Sequence, residues 1–109
     1  MASSSRHDVV LVRYPFSDLS GAKVRPAVVV SASHPSADLL LTPLTSRTTG
    51  LFPGEFVLAE WAQSGLHVAT AVKRGVYTIH SSLVAKKVGM LRPADGKQLD
   101  QALRAWLGI

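Results

Sequence analysis

KVRPAVVVS, residues 23–31, runs a lysine, an arginine and a proline into an unbroken apolar stretch. Consecutive β-branched residues bounded by turn formers read as a buried strand. Proline suits the first residue of such a strand, because it has no amide hydrogen to give to a ladder. A strand is therefore expected over 26–33. Outward from it, DVVLVRY (8–14) reads as a first strand, and PFSDLSGAK (15–23) as a long loop rich in turn formers. LLLTPLTSR (39–47) begins a third strand that Pro43 interrupts or confines to an edge. EFVLAE (55–60), VATAVKRGVYTI (68–79, broken near Gly75) and AKKVGML (85–91) complete the set. Six or seven short strands spaced by glycine and proline turns predict a mainly β chain folded as a small barrel or a highly curved sheet.

The period changes at the end of the chain. Leu99, Ala102, Leu103, Trp106 and Leu107 fall at helical spacing, an apolar stripe on an α-helix expected over about 93–107. Pro93 suits its first turn, Asp95 its positive N-terminal dipole and Gly108 its end. Gly96 costs the first turn about 1 kcal/mol relative to alanine, so fraying is expected there.

The 109 residues suit one domain spanning 1–109, with residues 1–6 a loose terminus. No apolar run is long enough to cross a membrane, and MASSSRHD lacks the apolar core of a signal peptide, so a cytoplasmic protein is expected. The absence of cysteine excludes disulfides and thiolate chemistry. A formal charge of +5 tilts the expected partners toward polyanions such as nucleic acid or an acidic protein segment.

His7, His34, His67 and His80 are isolated in sequence, with no metal-ligand spacing, so no metal or cofactor is expected. No nucleophile elbow or phosphate-binding glycine loop is present. Glu55 and Glu60, at the two ends of one expected strand, read as solvated. The basic pairs of VKRG (72–75) and AKKVG (85–89) are either solvated faces that blunt sheet edges or a phosphate-tracking groove.

Two segments carry more. Proline restricts the residue before it to extended backbone, which holds Arg25 stiffly at a strand mouth, where its fork could grip a phosphate through two bonds. Thr45, Ser46 and Arg47 follow Pro43, and short hydroxyls beside guanidiniums form phosphate cradles, although the same residues are ordinary turn formers.

Taken in order, DVVLVRYPFSDLSGAKVRPAVVVS, LLLTPLTSR and KKVGMLRPADGKQLDQALRAWLG resemble the MazF/PemK family of toxins from type II toxin–antitoxin systems. The likeness runs from Asp8 to Gly108. Its most specific parts are R-P-A-V-V-V-S, the P-x-T-[ST] step and the closing G-x-L strand followed by a helix. The resemblance implies an SH3-like barrel with a C-terminal helix, a homodimer, and metal-independent, sequence-selective cleavage of single-stranded RNA. It implies 2′,3′-cyclic phosphate and 5′-hydroxyl ends, Arg25 and Thr45 as the catalytic pair, and Ser46 in an assisting position. Lys23, Arg47, Lys73, Arg74, Ser17 and Ser20 are the expected RNA contacts. An antitoxin with an extended, often acidic tail is the implied protein partner. Family members often read G-D before the first strand and carry an acidic residue near its end; this chain has His7 and Arg13 there. The alternatives are a non-catalytic toxin on the same scaffold that binds DNA gyrase in the manner of CcdB, for which an accessible Trp106 is the feature to examine, or a ribonuclease-dead interaction module.

Overall fold

The computed structural model describes residues 4–14 and 23–109. Among these residues, seven strands, β1 (Asp8–Tyr14), β2 (Lys23–Val29), β3 (Asp38–Thr45), β4 (Phe56–Val57), β5 (Ala71–Val72), β6 (Tyr77–His80) and β7 (Val84–Met90), with a 3-10 turn at Ser81–Leu83 between the last two, precede one α-helix, α1 (Pro93–Leu107). All pairings are antiparallel, in the order β4-β5-β3-β2-β1-β7, and β6 also pairs with β3. The chain is thus mainly β with a C-terminal helix, as expected. Among the described residues the sheet is open, with β4 and β7 at its ends.

Successive residues of a strand face opposite sides, and here both sides are dry. On one face Val9, Val28, Leu44 and Val72 meet Leu99, Ala102 and Leu103 of α1. On the other, Val10, Val12, Ala27, Val29, Leu41 and Ile79 form a second core, against which Tyr77, Leu83 and Val84 pack. Two-sided burial is why VVLV and AVVV are continuous rather than alternating. Each fully buried valine contributes about 1.5–3 kcal/mol relative to exposure.

Several boundaries differ from expectation for identifiable reasons. β2 begins at Lys23, three residues early, because β1 pairs with it from Val9↔Val28 as far as Tyr14↔Lys23. β3 runs unbroken through Pro43. The expected strand over 55–60 shrinks to Phe56–Val57, because Asp95 diverts the chain: its two carboxylate oxygens accept from the amides of Ala59 and Glu60, at 2.9 Å each. Asp95 is 1% exposed, so it clasps that turn to the helix as well as complementing the dipole.

The helix has Pro93 in its first turn and ends on Gly108 in the left-handed conformation, φ 72°. Gly96 is not a fraying point. It is buried, and a Cβ there would lie 2.9 Å from the His7 ring. That ring donates through Nε2 to Asp100 Oδ1 at 2.9 Å, and Arg6 Nη2 reaches the same oxygen at 2.7 Å. Burial pushes the Asp100 carboxyl up, but the hydrogen bonds and charges of His7 and Arg6 outweigh it and hold the group below its ordinary value. Arg6 is therefore pinned, and Ser5 exchanges two hydrogen bonds with Asp8, so the loose terminus does not extend over residues 5 and 6. Leu107 leaves the apolar stripe and is 57% exposed; it lies about 80° around the helix from Leu99.

Gly65 and Gly89 let two backbones touch. A Cβ on Gly89 would fall 2.1 Å from the Ser64 carbonyl oxygen, and one on Gly65 2.0 Å from that of Val88. Gly89→Ala is accordingly expected to destabilise the protein by about 1–3 kcal/mol, the range of overpacking, read as a fall in Tm of roughly 4 °C or more. A Tm within two degrees of wild type would contradict this contact.

Candidate functional site

Two prolines set the geometry around Arg25 and Thr45. The Val30 amide donates to Leu40 of β3 at 2.9 Å, so alternation turns the backbone of Val28 and then Pro26 toward β3. The β2–β3 ladder ends at Ala27↔Pro43, one residue short of Pro26. The missing N–H of Pro26 thus lies where pairing stops. Pro43 faces the other way, since its carbonyl accepts from Lys73 at 2.9 Å. Its nitrogen falls in the gap between the β6 pairing, which ends at Leu41↔Tyr77, and the β5 pairing, which starts at Leu44↔Val72. Each proline costs no ladder bond and marks a place where strands part company.

Arg25 and Thr45 each lie two residues beyond the last β2–β3 pair. The pleat therefore sends both side chains from the face that Ala27 and Pro43 share, at the open end of the pair. Arg25 stands opposite buried Val12 of β1 and is itself exposed. Lys23, two residues earlier, shares its face. Thr45 is half-buried, and its Oγ1 accepts from the Arg47 amide at 3.1 Å, which fixes the turn and leaves the hydroxyl proton to donate. Ser46 is exposed in that turn. Arg47 Nε donates to the Thr49 carbonyl at 3.2 Å, and its guanidinium lies against Gly50, whose φ of +66° and lack of a Cβ accommodate it. Ser17 and Ser20 lie outside the described residues.

Lys73 and Arg74, exposed at the end of β5, line a surface cleft of about 590 Å³ with Phe52, Pro53, Glu55, Ala105 and Trp106. Arg25 and Thr45 do not line it. The two regions are joined through the backbone, because the Lys73 amide that bonds Pro43 is two residues along from Thr45↔Ala71.

Sequence reading missed Glu55, which is not simply solvated. Its Oε1 accepts from the Phe52 amide at 2.7 Å and its Oε2 from the Arg74 amide at 2.8 Å. A glutamate after Pro-Gly signals the first bond, since Gly54 makes a turn at φ +88°. Nothing in the sequence signals the second, 19 residues away. Trp106 is half-buried, packs against the core, donates Nε1–H to the Pro53 carbonyl at 3.1 Å and occupies the space a Cβ on Gly54 would need. Arg13 is exposed on β1, opposite Val24. His7 has a positive φ of 76°, which suits the glycine often found there in the family it resembles. His34 and His80 make local contacts with Ser36 and Ser82, and among the described residues no three His, Asp or Glu converge on a metal site.

The Arg74 amide, then the Phe52 amide, hold the Glu55 carboxyl below its ordinary value of 4.5; partial burial opposes them and the charges of Lys73 and Arg47 add to them. A lowered folded pKa means that Glu55 stabilises fully above 4.5 and loses this contribution as pH falls through the lower value. Hydrogen exchange at the Arg74 amide should therefore speed up on acidification below pH 4.5, relative to its intrinsic rate. In Glu55→Gln that relative acceleration should be absent.

The sequence matches the family described as PemK-like, MazF-like toxin of type II toxin–antitoxin system over residues 5–107. No curated protein sequence matches it. Among solved structures, the fold is similar to MazE–MazF from Deinococcus radiodurans (TM-score 0.81, 18% identity, 100% of this chain and 99% of that one). It is also similar to an endoribonuclease in complex with its cognate antitoxin from a mycobacterial species (TM-score 0.77, 20% identity, 100% and 97%). A third is the Mycobacterium tuberculosis toxin MazF-mt6 (TM-score 0.72, 18% identity, 94% and 97%).

Proposed function

Since the chain belongs to the PemK-like, MazF-like toxins of type II toxin–antitoxin systems, we propose that it is a metal-independent, sequence-selective endoribonuclease acting on single-stranded RNA. The observation that carries this reading is the shared face of Arg25 and Thr45 at the open end of the β2–β3 pair, with Arg47, Lys73 and Arg74 on neighbouring turns. No helix among the described residues is long and apolar enough to cross a membrane.

RNA carries its own nucleophile. The 2′-oxygen attacks the adjacent phosphorus, its proton leaves, the P–O5′ bond breaks and the 5′-oxygen takes up a proton. The products are a 2′,3′-cyclic phosphate and a 5′-hydroxyl. The protein must align the groups and stabilise charge growing on the non-bridging oxygens. Arg25 is assigned to those oxygens, because a guanidinium is a fixed fork of donors and a poor proton acceptor. Thr45 donates a hydrogen bond through its hydroxyl to the scissile phosphate, and exposed Ser46 assists. Lys23, Arg47, Lys73 and Arg74 follow the flanking phosphates. We further propose a cytoplasmic homodimer whose activity is held in check by an antitoxin with an extended acidic tail, a partner suggested by the antitoxin-bound relatives. Gyrase binding through Trp106 draws no support, since that ring is engaged by Pro53 and the core.

Incubation with a long unstructured RNA in EDTA tests the activity, and intact RNA would refute it. Arg25→Lys keeps the charge but loses the fork, and kcat/KM is expected to fall by about 10²-fold or more. Near-wild-type cleavage by this variant would remove Arg25 from the site. An oligonucleotide with deoxyribose at the cleaved position should bind and remain intact; its cleavage would rule out the 2′-hydroxyl as nucleophile.

A further inference from the structure

A carboxylate in a site meant for a polyanion is electrostatically misplaced. Glu55 lines the cleft with Lys73 and Arg74 and lies within electrostatic reach of Arg47, where its charge opposes an incoming phosphate. Its geometry suggests what offsets that cost. The 52–54 turn is fastened on one side to α1, through Trp106 Nε1 and the Pro53 carbonyl. On the other side the end of β5 is fastened to β3, through the Lys73 amide and Pro43, two residues before Thr45. The Glu55 carboxylate joins these two fastened pieces by accepting from Phe52 on one and Arg74 on the other.

We propose that Glu55 is a positioning residue of the RNA site: by bridging the Phe52 and Arg74 amides it fixes the segment from which Lys73 and Arg74 present their charge to RNA phosphates. The inference rests on the ribonuclease reading above and adds to it a residue that touches no substrate. A basic segment held in one conformation loses less entropy when RNA binds than one that must be ordered at that moment.

The two roles open to this carboxylate predict opposite signs. As a positioning group, Glu55 strengthens RNA binding; as a bare negative charge, it weakens it. Glu55→Gln removes the charge and leaves only one side-chain acceptor oxygen for two amides. With the full chain and an oligonucleotide carrying deoxyribose at the cleaved position, its Kd is expected to rise about fivefold, the worth of one net hydrogen bond. With cleavable RNA, KM should rise by a similar factor while kcat stays within about twofold, since the reacting atoms are not touched. Hydrogen exchange at the Arg74 amide should speed up in the same variant. Glu60→Gln, which removes the same charge outside the cleft, serves as the control and should leave KM unchanged or slightly lower. Equal or tighter RNA binding by Glu55→Gln overturns the inference. If that variant does not fold, Glu55→Asp carries the test. Its net charge is unchanged but its reach is one methylene shorter, so Kd should rise, and a Kd equal to wild type overturns the inference. A wild-type protein that neither binds nor cuts RNA refutes the ribonuclease reading itself. A wild-type protein that does both, alongside an indifferent Glu55 variant, refutes only the positioning role.

Discussion

The antiparallel ladder between β1 and β2, from Val9↔Val28 to Tyr14↔Lys23, is the interaction on which the rest of the molecule depends. Where Val9 and Val10 pair with Val28 and Ala27 it is buried on both faces, so neither strand can leave a polar backbone group unpaired there without losing about 1–3 kcal/mol. Both cores are built from its alternate residues: Val9 and Val28 toward the helix, Val10, Val12, Ala27 and Val29 toward the other side. The same ladder continues past the point where β3 stops pairing with β2. That is how a residue as polar as Arg25 can stand on rigid backbone yet remain in water.

Three carboxylates act as fasteners rather than as surface charges. Asp8, 1% exposed, accepts from the Ser5 amide and has the Lys87 ammonium 3.2 Å from its other oxygen, an ion-pair contact without hydrogen-bond alignment. Asp95 takes the amides of Ala59 and Glu60, and Glu55 takes those of Phe52 and Arg74. An ionised carboxylate can satisfy two amides of an irregular turn where no ladder is available, through bonds stronger than neutral ones. In a chain with a formal charge of +5, carboxylates used in this way leave the basic side chains on the outside.

The fold was largely legible in the sequence, because strand and helix periodicity are local signals. The ends of α1 coincide with Pro93 and Leu107, since proline and glycine mark them chemically. What local reading missed was non-local. It overextended the strand at 55–60 because Asp95, some 35 residues away, takes its amides. It counted Gly96 as a weakness because the His7 ring that needs the space comes from the other end of the chain. The shared face of Arg25 and Thr45 could not be read from 20 residues of separation; it follows from a register. Glu55 was invisible as a bridge for the same reason.

The position of β1 in the sheet bears on how the molecule is made. One edge is covered promptly by β2, but the other waits for β7, whose Met90 pairs with Asp8 from 82 positions further along. A nascent or truncated chain lacking β7 presents that edge, with its β-branched side chains, to solvent and to other chains. An uncovered strand of this kind is a template for aggregation. Since the helix that covers one core follows β7 directly, edge and face are protected by the same late segment. Synthesis order therefore makes completion close to all-or-none: a shortened chain is not a weaker version of this protein but one with its first strand exposed.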